Sequence, residues 1–544
     1  MSKRVLLLGL DGYDPELAER YMAQGELPAL RQLKSSSAEV ALEHGPAKRT
    51  GLAWEHFATG LDPEAADRFS AVHFDAERYT CVQRGTRLTP FTKAYGADAV
   101  VFDAPYFDLS RTRGTRGLVA WGAHDPGVPL HATPASLSDE VMERFGAYPA
   151  PQWIYGHTWT CPEQTRQMGE DLVLATERRA DIAEWMLGER FPDWRLGVVV
   201  VSEPHSAIEA LWHGVDERHP LADMPSAEAA GTATLDVYRA VDRLVERLAH
   251  RFSDATIVAV SMHGMGPNHS DLASMALLPE LMHREQFGEA WMDAPGCVAT
   301  PPAGESWMDS VQRCYPTTTN TNGSCTEPQP LQPKRRQRSA AERQLRAWAK
   351  SLLNPVRHQR VEGTLDWMPA SWYARHWRAM DVFALPSFYD GQLRVNLKGR
   401  ERDGRVDVAD YARMLDRVEA LLAECTDVFT HQPVVEFIVR NHREDPRDMG
   451  PSEADLIIVW NGIVSGLDHP RHGRIGPLPH RRPGGHTGGV GMAWVKDDAI
   501  QPGDRGLRSA FDVVPTLFDL TGQPPSPGLS GESFLDLLTT PSCA

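Results

Sequence analysis

The chain has 544 residues, 42% hydrophobic and 24% charged, and its 73 acidic against 56 basic side chains leave a formal net charge of −17 at pH 7. Its length exceeds what one hydrophobic core organises, which predicts one large domain with a sizeable insertion, or two domains; the mean hydropathy of −0.38 is that of a globular protein and excludes disorder throughout. The negative charge works against nonspecific attraction to nucleic acid or anionic membrane, so an anionic substrate needs local positive charge, of the kind bound metal ions supply.

Val5 to Leu10 is a short, continuous apolar run ending in "DGYD". It reads as a buried parallel strand delivering Asp11 from its carboxyl end, where open α/β sheets bind ligands. The run is too short for a signal peptide or a membrane span. The seven cysteines are odd in number, widely spread and without a C-x-x-C pair, so free thiols and a cytoplasmic location are expected. Pro15 to Ala23 is helix-like, with Asp14 placed to cap it and Pro15 at the first helical position.

Between Gly45 and Pro63, Thr50 sits in a polar turn before a predicted helix. A threonine hydroxyl is a poor nucleophile until a metal or base draws off its proton, so a catalytic Thr50 needs a cation beside it; its structural alternative is an N-cap. Lys48 and Arg49 are placed either to neutralise the non-bridging oxygens of a phosphate or to stand as solvated loop charges. Further apolar runs near Val100 and ending at Glu203, Gly264 and Trp460 alternate with amphipathic segments, the pattern of a doubly wound sheet.

Cys314 to Arg338 is rich in Thr, Asn, Pro and like charges and is expected to be a flexible loop. Ala340 to Trp377 is helix-like and holds Trp348, Trp367, Trp372 and Trp377. The expected architecture is therefore α/β. Residues 1–280 and 385–544 form a doubly wound, mostly parallel central sheet flanked by helices, and residues 281–384 form an insertion or cap. Neither a G-x-G-x-x-G fingerprint nor a phosphate loop is present, and no G-x-S-x-G elbow exists. Dinucleotide, kinase and serine-hydrolase readings are disfavoured.

"LLLGLDGYD" with "LPALRQL", "RTGLAWEHFATGLDP", "VSMHGMGPN", "GGHTGGVGMAWV" and "FDVVPTLFDLTG", in that order, resemble the type I phosphodiesterase and nucleotide pyrophosphatase branch of the alkaline phosphatase superfamily. The resemblance covers about 4 to 275 and 383 to 540 and is weak over the insertion. "WGAHDP", "SEPHSAIEALWHGVDERHP" and "LRVNLKGRERDGRV" look like a bacterial subgroup of that branch, in which Lys398 and Arg400 either face substrate or brace the sheet. The resemblance implies two divalent metals at the carboxyl edge of the sheet and a covalent intermediate. Asp11 and His263 would bind the second metal, Thr50 would be nucleophile and ligand, and His486 would bind the first.

Three positions depart from that pattern. His205 stands where relatives have Asp, and Glu209 where they have His. The i, i+4 spacing keeps both on one helical face, and both types suit zinc, manganese or iron. Met262 stands where relatives have Asp, and a thioether does not replace a carboxylate on a hard divalent ion. The second site is then weak or completed by another group, with His213, two helical turns beyond His205, His124 and His269 as candidates; each is alternatively a hydrogen-bonded structural histidine.

The expected cofactor is one or two divalent ions, zinc foremost. The expected activity is metal-dependent hydrolysis of a phosphodiester or phosphomonoester through a phospho-threonine on Thr50, acting on a small anionic ester. The alternatives are a sulfate- or phosphonate-ester hydrolase on the same fold, a remodelled mononuclear metal enzyme with different chemistry, and a catalytically impaired binding protein. The oligomeric state is left open.

Overall fold

The structure, a computed structural model, describes residues 4–155, 161–293, 307–316 and 362–539. Most of the loop expected at 314–338 and of the helix-like stretch that begins at Ala340, including Trp348, lies outside these residues.

A nine-stranded sheet runs, edge to edge, through Gly503–Ser509, Ala38–Glu43, Val490–Lys496, Thr256–His263, Val5–Leu10, Leu196–Val201, Ala99–Phe102, Arg116–Val119 and His131–Thr133. Val5–Leu10 lies between Leu196–Val201 and Thr256–His263 and is parallel to both. All six of its residues are buried, as expected of a strand covered on both faces. Its side chains alternate between two cores: Leu6, Leu8 and Leu10 pack with helices Pro15–Ala23, Pro162–Trp185 and Ala227–Arg251, whereas Val5 and Leu7 pack with Ala53–Thr59 and Val513–Thr521. Helices on both faces of a mostly parallel sheet make the expected α/β fold.

One interior strand runs the other way. Val490–Lys496 is antiparallel to both Thr256–His263 and Ala38–Glu43, so it starts at the edge where the parallel strands end. That reversal lets His486, four residues upstream of it, reach the same edge as Asp11 and His263.

Residues 385–478, grouped in the sequence with the main sheet, instead share a separate core with residues from 272 onward and with Phe74 and Tyr79. Here Leu456–Trp460, read from the sequence as part of the doubly wound sheet, pairs antiparallel with Gly391–Val395 and Val435–Arg440. Its burial alternates along the strand, the signature of a sheet covered on one face, which a purely apolar run conceals. Arg400 bridges Glu401 and Asp455 inside this unit, and Asp455 also accepts from the Val395 amide at 2.7 Å. Arg400 therefore braces the sheet. Lys398 pairs with Asp407 in an exposed ion pair. Among the described residues no helix is long and apolar enough to cross a membrane.

Beneath the carboxyl edge of the main sheet lies a fully buried charge cluster. Arg179, from helix Pro162–Trp185, donates to both Glu203 oxygens, to Asp103 at 2.7 Å and to the Val200 carbonyl at 2.9 Å. Asp103 in turn accepts the Trp121 and Gly122 amides at 2.7 and 2.8 Å. Replacing Arg179 with Leu strands two buried carboxylates and is expected to cost roughly 3–5 kcal/mol. The urea midpoint should fall accordingly; an unchanged midpoint would refute the structural role.

Candidate metal centre

Asp11 ends the central strand in a turn that two glycines make possible. A Cβ at Gly9 would lie 2.5 Å from the Trp54 ring, so the missing side chain admits the indole, whose Nε1 donates to Asp11 Oδ1 at 2.8 Å. Gly12 has φ +65, and a Cβ there would lie 2.2 Å from the His205 backbone. This contact seats the helix Glu203–Leu211, wholly buried, directly against the Asp11 turn. His205 Nδ1 meets Asp11 Oδ1 at 3.0 Å. His205 Nε2 faces His486 Nε2 at 3.2 Å and Glu209 Oε1 at 3.6 Å.

His124 completes the group. Its loop is fixed by the Trp121 and Gly122 amides on Asp103, and its ring stacks on His205 with centroids 3.7 Å apart. His124 Nε2 lies 3.7 Å from Glu209 Oε2. Buried His124, His205 and Glu209 each offer a donor atom within 4.8 Å of the other two. Asp11 Oδ2, Glu209 Oε2, His124 Nδ1 and His486 Nδ1 are buried without a hydrogen-bond partner. Buried polar atoms are normally satisfied, so these free acceptors and ring nitrogens suit a cation of the zinc, manganese or iron class.

The remaining expected residues are dispersed. His263 lies beside His486, with ring centroids 5.1 Å apart, and its Nδ1 bonds the Gly264 carbonyl at 2.9 Å. Thr50 ends the short helix Gly45–Thr50; its hydroxyl donates to the Ala47 carbonyl at 2.8 Å and accepts the Leu52 amide at 3.1 Å. Lys48 and Arg49 line a cleft of about 250 Å³ with Tyr389, Asp390, Phe437, Trp460 and His486. His213 points elsewhere, with Nε2 3.1 Å from Ser226 Oγ. His269 is on the cleft wall, and Met262 packs into the apolar core.

Sequence reasoning passed over Trp54, Tyr389 and Arg482. The Tyr389 hydroxyl lies 3.5 Å from His486 Nε2. Arg482, also buried, forms an ion pair with Glu209 Oε1 and holds Asp271 at 3.0 Å. The Arg-Arg pair just upstream of "GGH" was the available signal, since a buried carboxylate needs a compensating cation.

The electrostatics follow from this packing. Burial opposes charge on Asp11, but the His205 ring, with His124 and the Trp54 donor, outweighs it and holds the carboxyl below its usual range. Burial is likewise overcome at Glu209, where Arg482, His124 and His205 keep the carboxyl well below the ordinary value. His205, between these two carboxylates, is pushed up to about 10 against the effect of its own burial. His263 moves the other way, down to about 4, through burial and the neighbouring Lys48. His486 is held well below its ordinary value by burial and His205.

A family model described as type I phosphodiesterase / nucleotide pyrophosphatase matches residues 5–313. No curated protein matches. Among solved structures, the chain is similar to wild-type alkaline phosphatase PafA (12% identity, 99% of each chain covered, TM-score 0.48). It is also similar to phosphonoacetate hydrolase from Sinorhizobium meliloti 1021 (14%, 96% of each chain, TM-score 0.44). A third is human ectonucleotide pyrophosphatase / phosphodiesterase 5 (12%, 99% of this chain and 100% of that one, TM-score 0.47).

Burial depresses His56, His213, His263 and His480 to about 4. Unfolding exposes them, so between the ordinary histidine value and about 4 the unfolded chain binds more protons and stability is lost as pH falls. His205 acts in the opposite sense, its contribution being present at neutral pH and lost as pH rises through about 10. Urea unfolding of the metal-free protein should therefore show a midpoint that declines from pH 7 to pH 5 and again above pH 9; a midpoint rising from pH 7 to pH 5 contradicts the buried-neutral assignments.

Proposed function

The chain belongs to the type I phosphodiesterase / nucleotide pyrophosphatase family, and on that premise we propose that it hydrolyses small anionic phosphoesters with Thr50 as nucleophile and divalent-metal assistance. The observation that carries the reading is the convergence of Asp11, His124, His205, Glu209, His263 and His486 at one sheet edge, beside a cleft whose wall includes Lys48 and Arg49.

Thr50 attacks phosphorus in line with the leaving alcohol. The Thr50 O–P bond forms as the ester P–O bond breaks, and water later cleaves the phospho-threonine. Before attack, the hydroxyl gives up its hydrogen bond to the Ala47 carbonyl, while the Leu52 amide holds its oxygen in place. A bound divalent ion supplies Lewis acidity, lowering the hydroxyl pKa and drawing charge from the phosphoryl oxygens. Lys48 and Arg49 hold the non-bridging oxygens at the cleft wall. Arg49 is positioned by Asp390 at 4.0 Å and by the Phe437 ring. Tyr389, kept protonated by burial and by Asp125 and Glu209, presents a neutral phenol beside His486.

We also propose a reducing compartment, the cytoplasm, in keeping with the free thiols of Cys81, Cys161 and Cys425 among the described residues.

Thr50→Ala should lower kcat on p-nitrophenyl phosphate and bis(p-nitrophenyl) phosphate by at least about 10³-fold. The wild-type protein quenched in acid during turnover should carry a phosphate on the peptide containing Thr50, visible by mass spectrometry. Wild-type rates in the Thr50→Ala protein would sink the nucleophile assignment. Aryl sulfate and phosphonate esters assayed in parallel decide the ester class: faster turnover of either one overturns the phosphate reading while leaving Thr50 in place.

A further inference from the structure

We infer that Tyr389 is a catalytic residue whose phenol O–H donates a hydrogen bond to a non-bridging oxygen of the phosphoryl group while that group passes to Thr50. The inference rests on the phosphoester-hydrolase reading of the site and adds to it a group that the main sheet does not supply.

Two cavities meet at this side chain. The cleft of about 250 Å³ carries Lys48, Arg49 and His486, whereas Thr50 lines a smaller cavity of about 20 Å³ with Gly51, Tyr106 and Asp125. Arg49 and Tyr389 are common to both linings. An ester that enters by the cleft and is attacked by Thr50 therefore has its phosphorus where these two side chains divide the cavities. The guanidinium brings charge to that passage, and the phenol brings a single directed donor.

The turn that carries Thr50 also seats the ring. Gly51 closes the helix Gly45–Thr50 with φ +69, and a Cβ there would lie 1.9 Å from Tyr389 Cε2 and 2.7 Å from Cζ, the carbon that bears the hydroxyl. The phenolic end of the ring thus lies against the residue after Thr50. The backbone of Tyr389 is held on both sides: its amide donates to Ser387 Oγ at 3.3 Å, and its carbonyl accepts from Ser274 Oγ at 2.8 Å. Ser274 Oγ in turn accepts the Trp460 indole at 2.8 Å. Trp460 belongs to the second core, so that core aims a side chain into the edge of the main sheet.

The hydroxyl is free to take a better partner. It lies 3.5 Å from His486 Nε2, at the long limit for a hydrogen bond, and that nitrogen has His205 closer at 3.2 Å. An anionic phosphoryl oxygen is the stronger acceptor. A donor fixed in place beforehand costs no reorganisation as charge shifts during transfer. In-line displacement puts the leaving oxygen on the far side of phosphorus from Thr50, and a phenol beside Gly51 stands on the near side, so it meets a non-bridging oxygen. An ordinary phenol is protonated at neutral pH and keeps its proton throughout, leaving the proton and electron count of the displacement unchanged.

The test uses the full chain supplied with Zn²⁺ and the two separated mirror-image forms of methyl p-nitrophenyl phosphorothioate, which exchange the positions of oxygen and sulfur, a poor hydrogen-bond acceptor. Tyr389→Phe keeps the ring and should lower kcat on bis(p-nitrophenyl) phosphate about 10²-fold, with KM changed less than about threefold. Its losses on the two phosphorothioates should differ by at least about fivefold, because only one form offers oxygen to the phenol. That ratio is read within one preparation, so a partly unfolded fraction does not move it. Equal losses on the two forms mark a role in packing or in steadying His486 and overturn the inference, as does wild-type kcat in the variant. A dead Thr50→Ala protein beside an unaffected Tyr389→Phe protein sinks this inference alone; wild-type turnover in Thr50→Ala, or no turnover of these esters by the wild type, sinks the phosphoester reading and the inference with it.

Discussion

The site depends on one guanidinium. Arg179 is inaccessible to solvent, and burying such a group is costly unless every donor is used; here it joins the loop after Ala99–Phe102, the loop after Leu196–Val201 and a backbone carbonyl of the latter strand. The two stacked histidines stand on segments that these contacts hold. Through Asp103 the charge fixes the Trp121–Gly122 turn that presents His124, and through Glu203 it fixes the first turn of the helix that presents His205. Helix Pro162–Trp185, which carries Arg179, thus ties together the segments on which those rings stack. Positional precision at the edge is thus created a layer below it, in a cluster that takes no part in chemistry.

Above that layer, charge is organised as a chain: Asp11, His205, Glu209, Arg482 and Asp271 alternate in sign through contacts among buried groups. Without an ion, the His205 proton balances the two carboxylates beside it. With Asp11 and Glu209 as two carboxylates in place of the usual three, the sequence leads to expecting a site less anionic than the resemblance alone implies. The folded chain has a pocket already close to neutral, in which Arg482 does part of the balancing.

The central sheet was legible because its signal is local. Continuous apolar runs ending in polar clusters mark Val5–Leu10, Ala99–Phe102, Leu196–Val201 and Thr256–His263, and Asp14 caps its helix through the Leu17 amide as its position suggests. Leu456–Trp460 carries the same apolar signal but belongs to another sheet, since composition does not encode which partner a strand finds. Asp11, His205, Glu209 and His486, singled out through ordered motifs, lie together at the sheet edge. The site was not legible at Trp54 and Arg482, which act on residues 43 and 273 positions away, nor at His213, whose helical spacing from His205 suggested a shared face. The helix ends at Leu211 and turns into Trp212–Gly214, and the turn carries His213 to Ser226.

The reversed strand Val490–Lys496 has a consequence for how the molecule is made. Until it is in place, Thr256–His263 presents an unpaired edge of apolar backbone, the kind of surface that recruits other chains. Because the segment that covers this edge is continuous with His486, the same pairing sets His486 beside His205 and His263. A chain that lacks this strand therefore exposes that edge and leaves His486 unplaced in the same stroke.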